Sequence, residues 1–299
     1  MKLFTYSLQS DRPRAGFALN GDYFDLGAAL VARGKTDQAD LVQNGGLRAM
    51  LEHGLLDDPA LGDVTAAEGP EKLDPDAIRF LPPTGRPANV IGVGRNYGAH
   101  ALEGGLQAQE EPRLFAKLTS SVIGHRDPIR RPAGVTKLDW EGEIGVVIGK
   151  TVRGVDEAGA LGAIAGYIPL NDVTAREFQF DRSPGQTTFA KSLDTFCPAG
   201  PVMLAAGDKV DPGGLSLRTF VNDDLVQEGK TDDLIFPIPY LVSFISRYVT
   251  LSPGDIIASG TPAGVGHFRE PPTYLQPGDE VRVEVEGLPA LVNPVVDES

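Results

Sequence analysis

The chain has 299 residues, one cysteine and a net charge of −14, from 27 Lys and Arg against 41 Asp and Glu. A single thiol excludes an intrachain disulfide, and a negative field of this size disfavours nucleic acid or anionic membrane as a partner held by bulk charge. Hydrophobic residues make up 41%, enough for one large domain with a small companion. Residues 1–7 are too few and too polar for a signal peptide, and no apolar run approaches the roughly 18 residues of a membrane span, so a soluble, cytoplasmic protein is expected.

Residues 1–75 read as a small N-terminal α/β domain. Strands are expected at 2–8 and 16–19, and Gly21-Asp22 turns the chain into a further apolar stretch at 23–26. Helical patches run from Gly27 to about Leu55, with breaks at Gly34 and at Gly45-Gly46. Charged, proline-containing sequence at 68–76 reads as a linker into a large domain at 76–299. There, apolar runs punctuated by Gly and Pro suggest strands at 89–93, 113–117, 143–148, 165–171, 216–221, 256–259 and 280–285. In the last of these, Val281, Val283 and Val285 alternate with charged residues, as in a half-buried antiparallel strand. Only 175–180 and 239–248 look helical, so this part is expected to be β-rich α+β rather than alternating βαβ.

Two glycine-rich turns invite a nucleotide reading and fail it. Ile91-Gly92-Val93-Gly94-Arg95-Asn96-Tyr97-Gly98 has the wrong spacing for a dinucleotide turn, and Gly260-Thr261-Pro262-Ala263-Gly264-Val265-Gly266 lacks the Gly-Lys-Ser/Thr of a phosphate loop. The informative stretch is Asp139-Trp140-Glu141-Gly142-Glu143-Ile144-Gly145-Val146-Val147-Ile148-Gly149-Lys150. In a strand, residues two apart share a face, so Glu141 and Glu143 point the same way. Two carboxylates so placed repel unless a cation lies between them or one stays protonated. Asp172 ends another apolar run, and three acids without clustered His or Cys suit Mg²⁺ or Mn²⁺. The alternative is a solvent-facing acidic strand edge.

His100 and Glu103 are three apart on a short helical stretch, where a carboxylate can orient an imidazole as a general base. Gly104-Gly105 follows and would let the segment close as a lid; the alternative is an incidental surface pair. Arg176 and Gln179 repeat the spacing directly after Asp172. With Lys191 and Lys117 they would supply the local positive charge that an anionic substrate needs in so acidic a protein, although a lone lysine is more often a snorkelling surface residue. Cys197 is expected to be a buried structural thiol, and His53, His125 and His267 to be structural or exposed.

Taken in order, these segments resemble the fumarylacetoacetate hydrolase superfamily over about residues 88–296. The resemblance rests on Gly-Val-Gly-x-Asn-Tyr with His-x-x-Glu, Leu-Phe-x-Lys, Asp-Trp-Glu-Gly-Glu, Asn-Asp-Val-x-x-Arg-x-x-Gln, Ala-Lys-Ser-x-Asp-Thr-Phe, Ser-Gly-Thr-Pro-Ala-Gly-Val-Gly and Tyr-Leu-x-Pro-Gly-Asp. It implies a mixed β-roll catalytic domain, usually a homodimer, with one divalent metal per subunit. Glu141, Glu143 and Asp172 would be the metal ligands, and His100 and Glu103 would lie on a flexible lid. Lys191, Arg176, Gln179 and Thr261 match positions that contact substrate. At Val93-Gly94-Arg95-Asn96 there is no fourth carboxylate, so the chain looks closer to the three-carboxylate bacterial branch. Gln186-Thr187-Thr188-Phe189 departs from the Gln-Trp many relatives carry before the active lysine.

The expected activity is therefore metal-assisted cleavage of a C–C bond in an acylpyruvate-type or other β-diketo 2-oxo acid. His100 would activate water and Lys191 would stabilise developing negative charge. The same enolate chemistry serves oxaloacetate decarboxylation and 2-hydroxy-dienedioate isomerisation or hydration. A different class of answer is a catalytically silent ligand-binding homologue.

Overall fold

Val146, Val147 and Ile148 end a strand, Gly142–Ile148, that is buried along its whole length. It is paired antiparallel on both sides, with Ile164–Asn171 and with Ile256–Ala258. A strand bonded at both edges and covered on both faces reads as continuously apolar, which is what made it legible. This is a computed structural model that describes residues 1–8, 12–103, 109–207 and 210–298, with the backbone alone at 101 and 102.

Around that strand lies an eleven-stranded mixed sheet. On one side follow Ile256–Ala258, Val90–Gly94 and Arg113–Lys117; on the other, Ile164–Asn171, Val202–Ala205 and then the N-terminal strands Lys2–Ser7, Arg14–Leu19, Asp22–Asp25 and Lys72–Leu73. A second sheet of five strands contains Ser216–Val221 and Glu280–Val285. In the latter Val281, Val283 and Val285 are buried in alternation, as their sequence period requires. The helix Ile238–Tyr248 buries Leu241, Val242 and Ile245. The whole is the β-rich α+β architecture expected.

The first 75 residues are stitched into the main sheet. Leu3 pairs with Met203 across the Lys2–Ser7 and Val202–Ala205 strands, and Phe17, Leu47 and Met50 share one core with Val147, Ile168 and Met203. The stretch expected to be a linker contributes the short strand Lys72–Leu73. The helix Thr36–Glu52 is bent where the paired glycines stand: Gly46 has φ 58° and ψ −150°. A Cβ there would lie 2.7 Å from Thr5 Cγ2, so the backbone's approach to the N-terminal strand requires glycine. Thr5 Oγ1 accepts from Leu47 N–H at 3.0 Å and donates to the Pro83 carbonyl at 2.6 Å.

One expected helix is shifted. Instead of a helix over 175–180, Thr174–Ala175 pairs with Leu138–Asp139 as a two-stranded ribbon, and a π-helical turn, Glu177–Asp181, follows. Tertiary pairing overrides local helical preference here. Cys197 is buried, and burial pushes its thiol up to about 12, in keeping with a structural role.

His125 is structural: Val292 N–H donates to its Nδ1 at 3.1 Å. Burial, helped by Arg126, pulls its pKa from 6.5 to about 4. The unfolded chain therefore takes up this proton first, so the contribution is complete above pH 6.5 and is lost as pH falls through about 4. Urea midpoints measured across that window should fall more steeply for the wild type than for His125→Gln. Parallel profiles would show that the group does not titrate as described.

Candidate active site

Two strand ends set the floor of the site. Gly142 is opposite Asn171 in the antiparallel register, so Glu141, just before one strand, meets Asp172, just after the other. Asp172 N–H donates to the Glu141 carbonyl at 2.8 Å, and Glu141 N–H donates to Asn171 Oδ1 at 3.0 Å. Carboxylate oxygens of Glu141, Glu143 and Asp172 all lie within 4.8 Å of one another. Glu141 is 5% exposed and Glu143 1%. The exposed-edge alternative does not apply.

Three cations surround these acids. Lys191 Nζ donates to Asp172 at 2.6 Å, Glu141 at 2.8 Å and Thr174 Oγ1 at 2.9 Å. Arg176 pairs through Nη1 with Glu141 at 2.7 Å and through Nε with Asp139 at 2.8 Å, and donates to Gln179 Oε1 at 2.8 Å. Lys117 Nζ lies 2.5 Å from Asp172 and also donates to the Lys191 carbonyl. Burial opposes ionisation of Glu141, yet Lys191, Arg176 and His100 outweigh it and hold the carboxyl at about 2. Glu143 moves the other way. Burial, then the charges of Asp172 and Glu141, push its pKa well above the usual range. Its carboxylate accepts from Gly260 N–H at 2.8 Å and has no ion pair among the described residues.

Counting Asp139 with the triad, four buried acids face three buried cations, and Glu143 is the one left over. An all-oxygen set with one acid that no cation matches is the donor chemistry that Mg²⁺ or Mn²⁺ takes. The residues present therefore fit a divalent ion.

Above the floor stands the short helix Gly98–Glu103. His100, 8% exposed, has Nδ1 3.4 Å from Glu103 Oε2. Both Glu103 oxygens also accept from Gly264 N–H, at 3.1 and 3.2 Å. With His100 buried and the half-buried Glu103 anchored to a second loop, the two are not a free surface pair. Gly104-Gly105, expected to form the hinge, lie outside the described residues.

His100, Glu141, Glu143, Arg176, Gln179, Lys191 and Thr261 line one cavity of about 50 Å³, the space of a few waters. Lys117, expected to contact substrate, does not line it: its ammonium is committed to Asp172 and a main-chain carbonyl, so it positions an acid instead. Thr261 lines the cavity, but its hydroxyl donates to the Gly142 carbonyl at 2.8 Å and accepts from Gln227 at 2.7 Å. That leaves little free donor capacity.

Sequence reasoning passed over several residues of the site. Asp139, next to the acidic motif, holds Arg176 and accepts from Gly266 and His267 N–H groups at 2.8 and 2.9 Å. Gln227 reaches in from the second sheet to accept from Gly142 N–H at 2.9 Å. Phe180 and Phe268 wall the cavity, and His267 stacks on Phe180 with ring centroids 4.9 Å apart. Arg95 and Arg113 line it as well. Arg95 could have been noticed, because it interrupts a glycine turn that was read only for its glycines.

Residues 89–296 match the model of the fumarylacetoacetate (FAA) hydrolase C-terminal family. The mitochondrial oxaloacetate tautomerase fahd2 of Xenopus laevis is 42% identical over 219 residues, 73% of this chain and 69% of that protein. The human mitochondrial oxaloacetate tautomerase FAHD2A is 40% identical over 219 residues, 73% of this chain and 70% of its own length. Among solved structures, the fumarylacetoacetate hydrolase EaFAH of the psychrophile Exiguobacterium antarcticum superposes with a TM-score of 0.81 at 36% identity, covering 100% of both chains. Maleylpyruvate hydrolase of Sphingobium sp. SYK-6, in complex with manganese(II) and pyruvate, does so with a TM-score of 0.77 at 28% identity, again over 100% of both. With the fold, the buried acids and the matched residues in agreement, the chain belongs to the fumarylacetoacetate hydrolase family, whose members named here are enzymes of 2-oxo acid chemistry.

Proposed function

We propose that the protein catalyses enol–keto interconversion of a short 2-oxo acid of the oxaloacetate kind, with one Mg²⁺ or Mn²⁺ per subunit held by Glu141, Glu143 and Asp172. The observation that carries this reading is buried His100, paired with Glu103, on the same small cavity as Glu141 and Glu143 of the acidic triad. Identities of 40–42% to oxaloacetate tautomerases support the choice of reaction. When bound, the divalent cation would supply positive charge that favours the enolate oxygen.

The chain's own groups do the rest. Arg176 has two nitrogens committed to Asp139, Glu141 and Gln179, while Nη2 is buried with no partner among the described residues, leaving one nitrogen for a substrate carboxylate. Gln179 spends its carbonyl oxygen on Arg176, so its amide NH₂ remains to donate. His100, with Nδ1 held by Glu103, uses Nε2 to move a proton between the substrate's carbon and oxygen. Lys191 has its three donors spent on Glu141, Asp172 and Thr174, so it acts through its positive charge on the cavity wall, which favours charge developing on oxygen. Phe180 and Phe268 limit water beside the transferred proton.

A second reading, C–C hydrolysis of an acylpyruvate-type acid, is favoured by the likeness to a maleylpyruvate hydrolase holding manganese and pyruvate. There His100 would take a proton from water. A panel with Mg²⁺ or Mn²⁺ separates the two. Faster decay of enol-oxaloacetate without loss of carbon is the proposed result. Release of pyruvate with a second acid from acylpyruvates would replace it by hydrolysis, CO₂ release by decarboxylation, and inertness throughout by a ligand-binding role. A cytoplasmic homodimer is proposed from the family resemblance and is checked by light scattering on the purified protein.

Two variants test the roles. Glu143→Gln removes the carboxylate that no cation matches, so calorimetry should find Mn²⁺ affinity reduced at least tenfold while the apo protein is no less stable, because burial and the two neighbouring acids already favour the neutral carboxyl there. Undiminished affinity would remove Glu143 from the ligand set. His100→Ala should lower kcat by roughly 10²–10⁴, the usual worth of a general acid–base, with Mn²⁺ affinity unchanged. A kcat near that of the wild type would take proton transfer away from His100.

A further inference from the structure

Arg95 and Arg113 are the cations of the cavity that the acids do not use. Arg113 is opposite Gly94 in the register of Val90–Gly94 with Arg113–Lys117, and Arg95 follows Gly94 directly. A Cβ placed on Gly94 would lie 3.8 Å from Arg113 Cδ, so the Arg113 stem runs across that glycine beside Arg95. Both line the cavity that Glu141 and Glu143 of the acidic triad also line. Neither makes an ion pair or side-chain hydrogen bond among the described residues, whereas Arg14, Arg126, Arg131 and Arg218 are each paired with an acid. Two guanidinium groups brought together without a carboxylate are unfavourable; burial and the charge of Arg113 both weigh against the protonated form of Arg95.

The backbone adds a cost at the same place. Arg95 has φ 61°, the left-handed region where glycine is the usual occupant. Strain of this kind persists where the surrounding structure and function hold it. Arg95 marks the sharp exit from the Val90–Gly94 strand, three residues before the helix that bears His100. Its position sends the long side chain to the cavity beside Arg113 rather than out to a surface acid.

We propose that Arg95 and Arg113 together bind the second, distal carboxylate of the substrate and make the site selective for dicarboxylic over monocarboxylic 2-oxo acids. The inference rests on the proposed 2-oxo acid function and specifies it. Arg176 Nη2 can serve one carboxylate at the acidic floor. A second carboxylate in a protein of net charge −14 needs its own cations. Two adjacent planar forks match the two oxygens of that group.

The test uses two unreactive probes of equal chain length, 2-oxoglutarate and 2-oxopentanoate, which differ by a terminal carboxylate in place of a methyl. Binding to the Mn²⁺-loaded protein is measured by calorimetry. The wild type should bind 2-oxoglutarate at least about tenfold more tightly, the usual scale for a charge-assisted contact. Arg95→Gln/Arg113→Gln should bind the two probes alike while keeping wild-type affinity for 2-oxopentanoate. Because Arg95 stands in a strained turn, Arg113→Gln alone, on an exposed residue, provides the check if the double variant does not fold; it must cut the preference severalfold. Equal affinities in the wild type, or an undiminished preference in the variants, would overturn the inference and leave the 2-oxo acid function standing. Binding of neither probe by the wild type would overturn both.

Discussion

The structure turns on the burial of Glu143 without a cation to match it. Every other acid at the floor has one: Glu141 has Lys191 and Arg176, Asp172 has Lys191 and Lys117, and Asp139 has Arg176. A lone buried carboxylate between two others is expensive and stays protonated unless something positive joins it. The fold keeps it there by main-chain geometry. Gly142–Ile148 is clamped between two antiparallel partners, so its first residues cannot move out to water without breaking the middle of an eleven-stranded sheet. The hydrogen bonding of the sheet thus holds in place a carboxyl that is costly to ionise, and a divalent ion would remove that cost.

The same bonds join floor and roof. Asp139 holds Arg176 on one side and the N–H groups of Gly266 and His267 on the other. Trp140 Nε1 donates to the Gly264 carbonyl at 3.2 Å, and Gly264 N–H binds Glu103. Gly264 has φ 105°, and a Cβ there would lie 2.0 Å from the Val226 carbonyl oxygen, so only glycine lets this loop turn its N–H toward Glu103. Whatever displaces Glu141 or Asp139 is therefore felt by the residue that orients His100. The acids and the dyad form one bonded unit, although 36 residues of sequence separate Glu103 from Asp139.

What could be read from the sequence was what short-range periodicity carries. The β-branched run at 146–148 and the valine alternation at 281–285 showed their strands, because pleating puts neighbouring side chains on opposite faces. The spacing of Glu141 with Glu143, and of His100 with Glu103, showed that each pair shares a face. Long-range pairing was not readable. Val202–Ala205 is four residues long, yet it receives the N-terminal strand and draws residues 1–75 into the main sheet. Likewise nothing local says that Lys117 faces Asp172 rather than substrate, or that Gln227 reaches across from the other sheet. Those roles exist only once distant strands have met.

Diffraction from crystals grown with Mn²⁺, recorded at the manganese absorption edge, addresses the central claim most directly. The account predicts one anomalous peak per subunit within about 2.0–2.3 Å of oxygens from Glu141, Glu143 and Asp172, the range expected for such an ion bound to carboxylates. It also predicts that Glu143→Gln crystals lose that peak. A peak elsewhere, or a site empty of manganese while Glu143 remains buried, would contradict it.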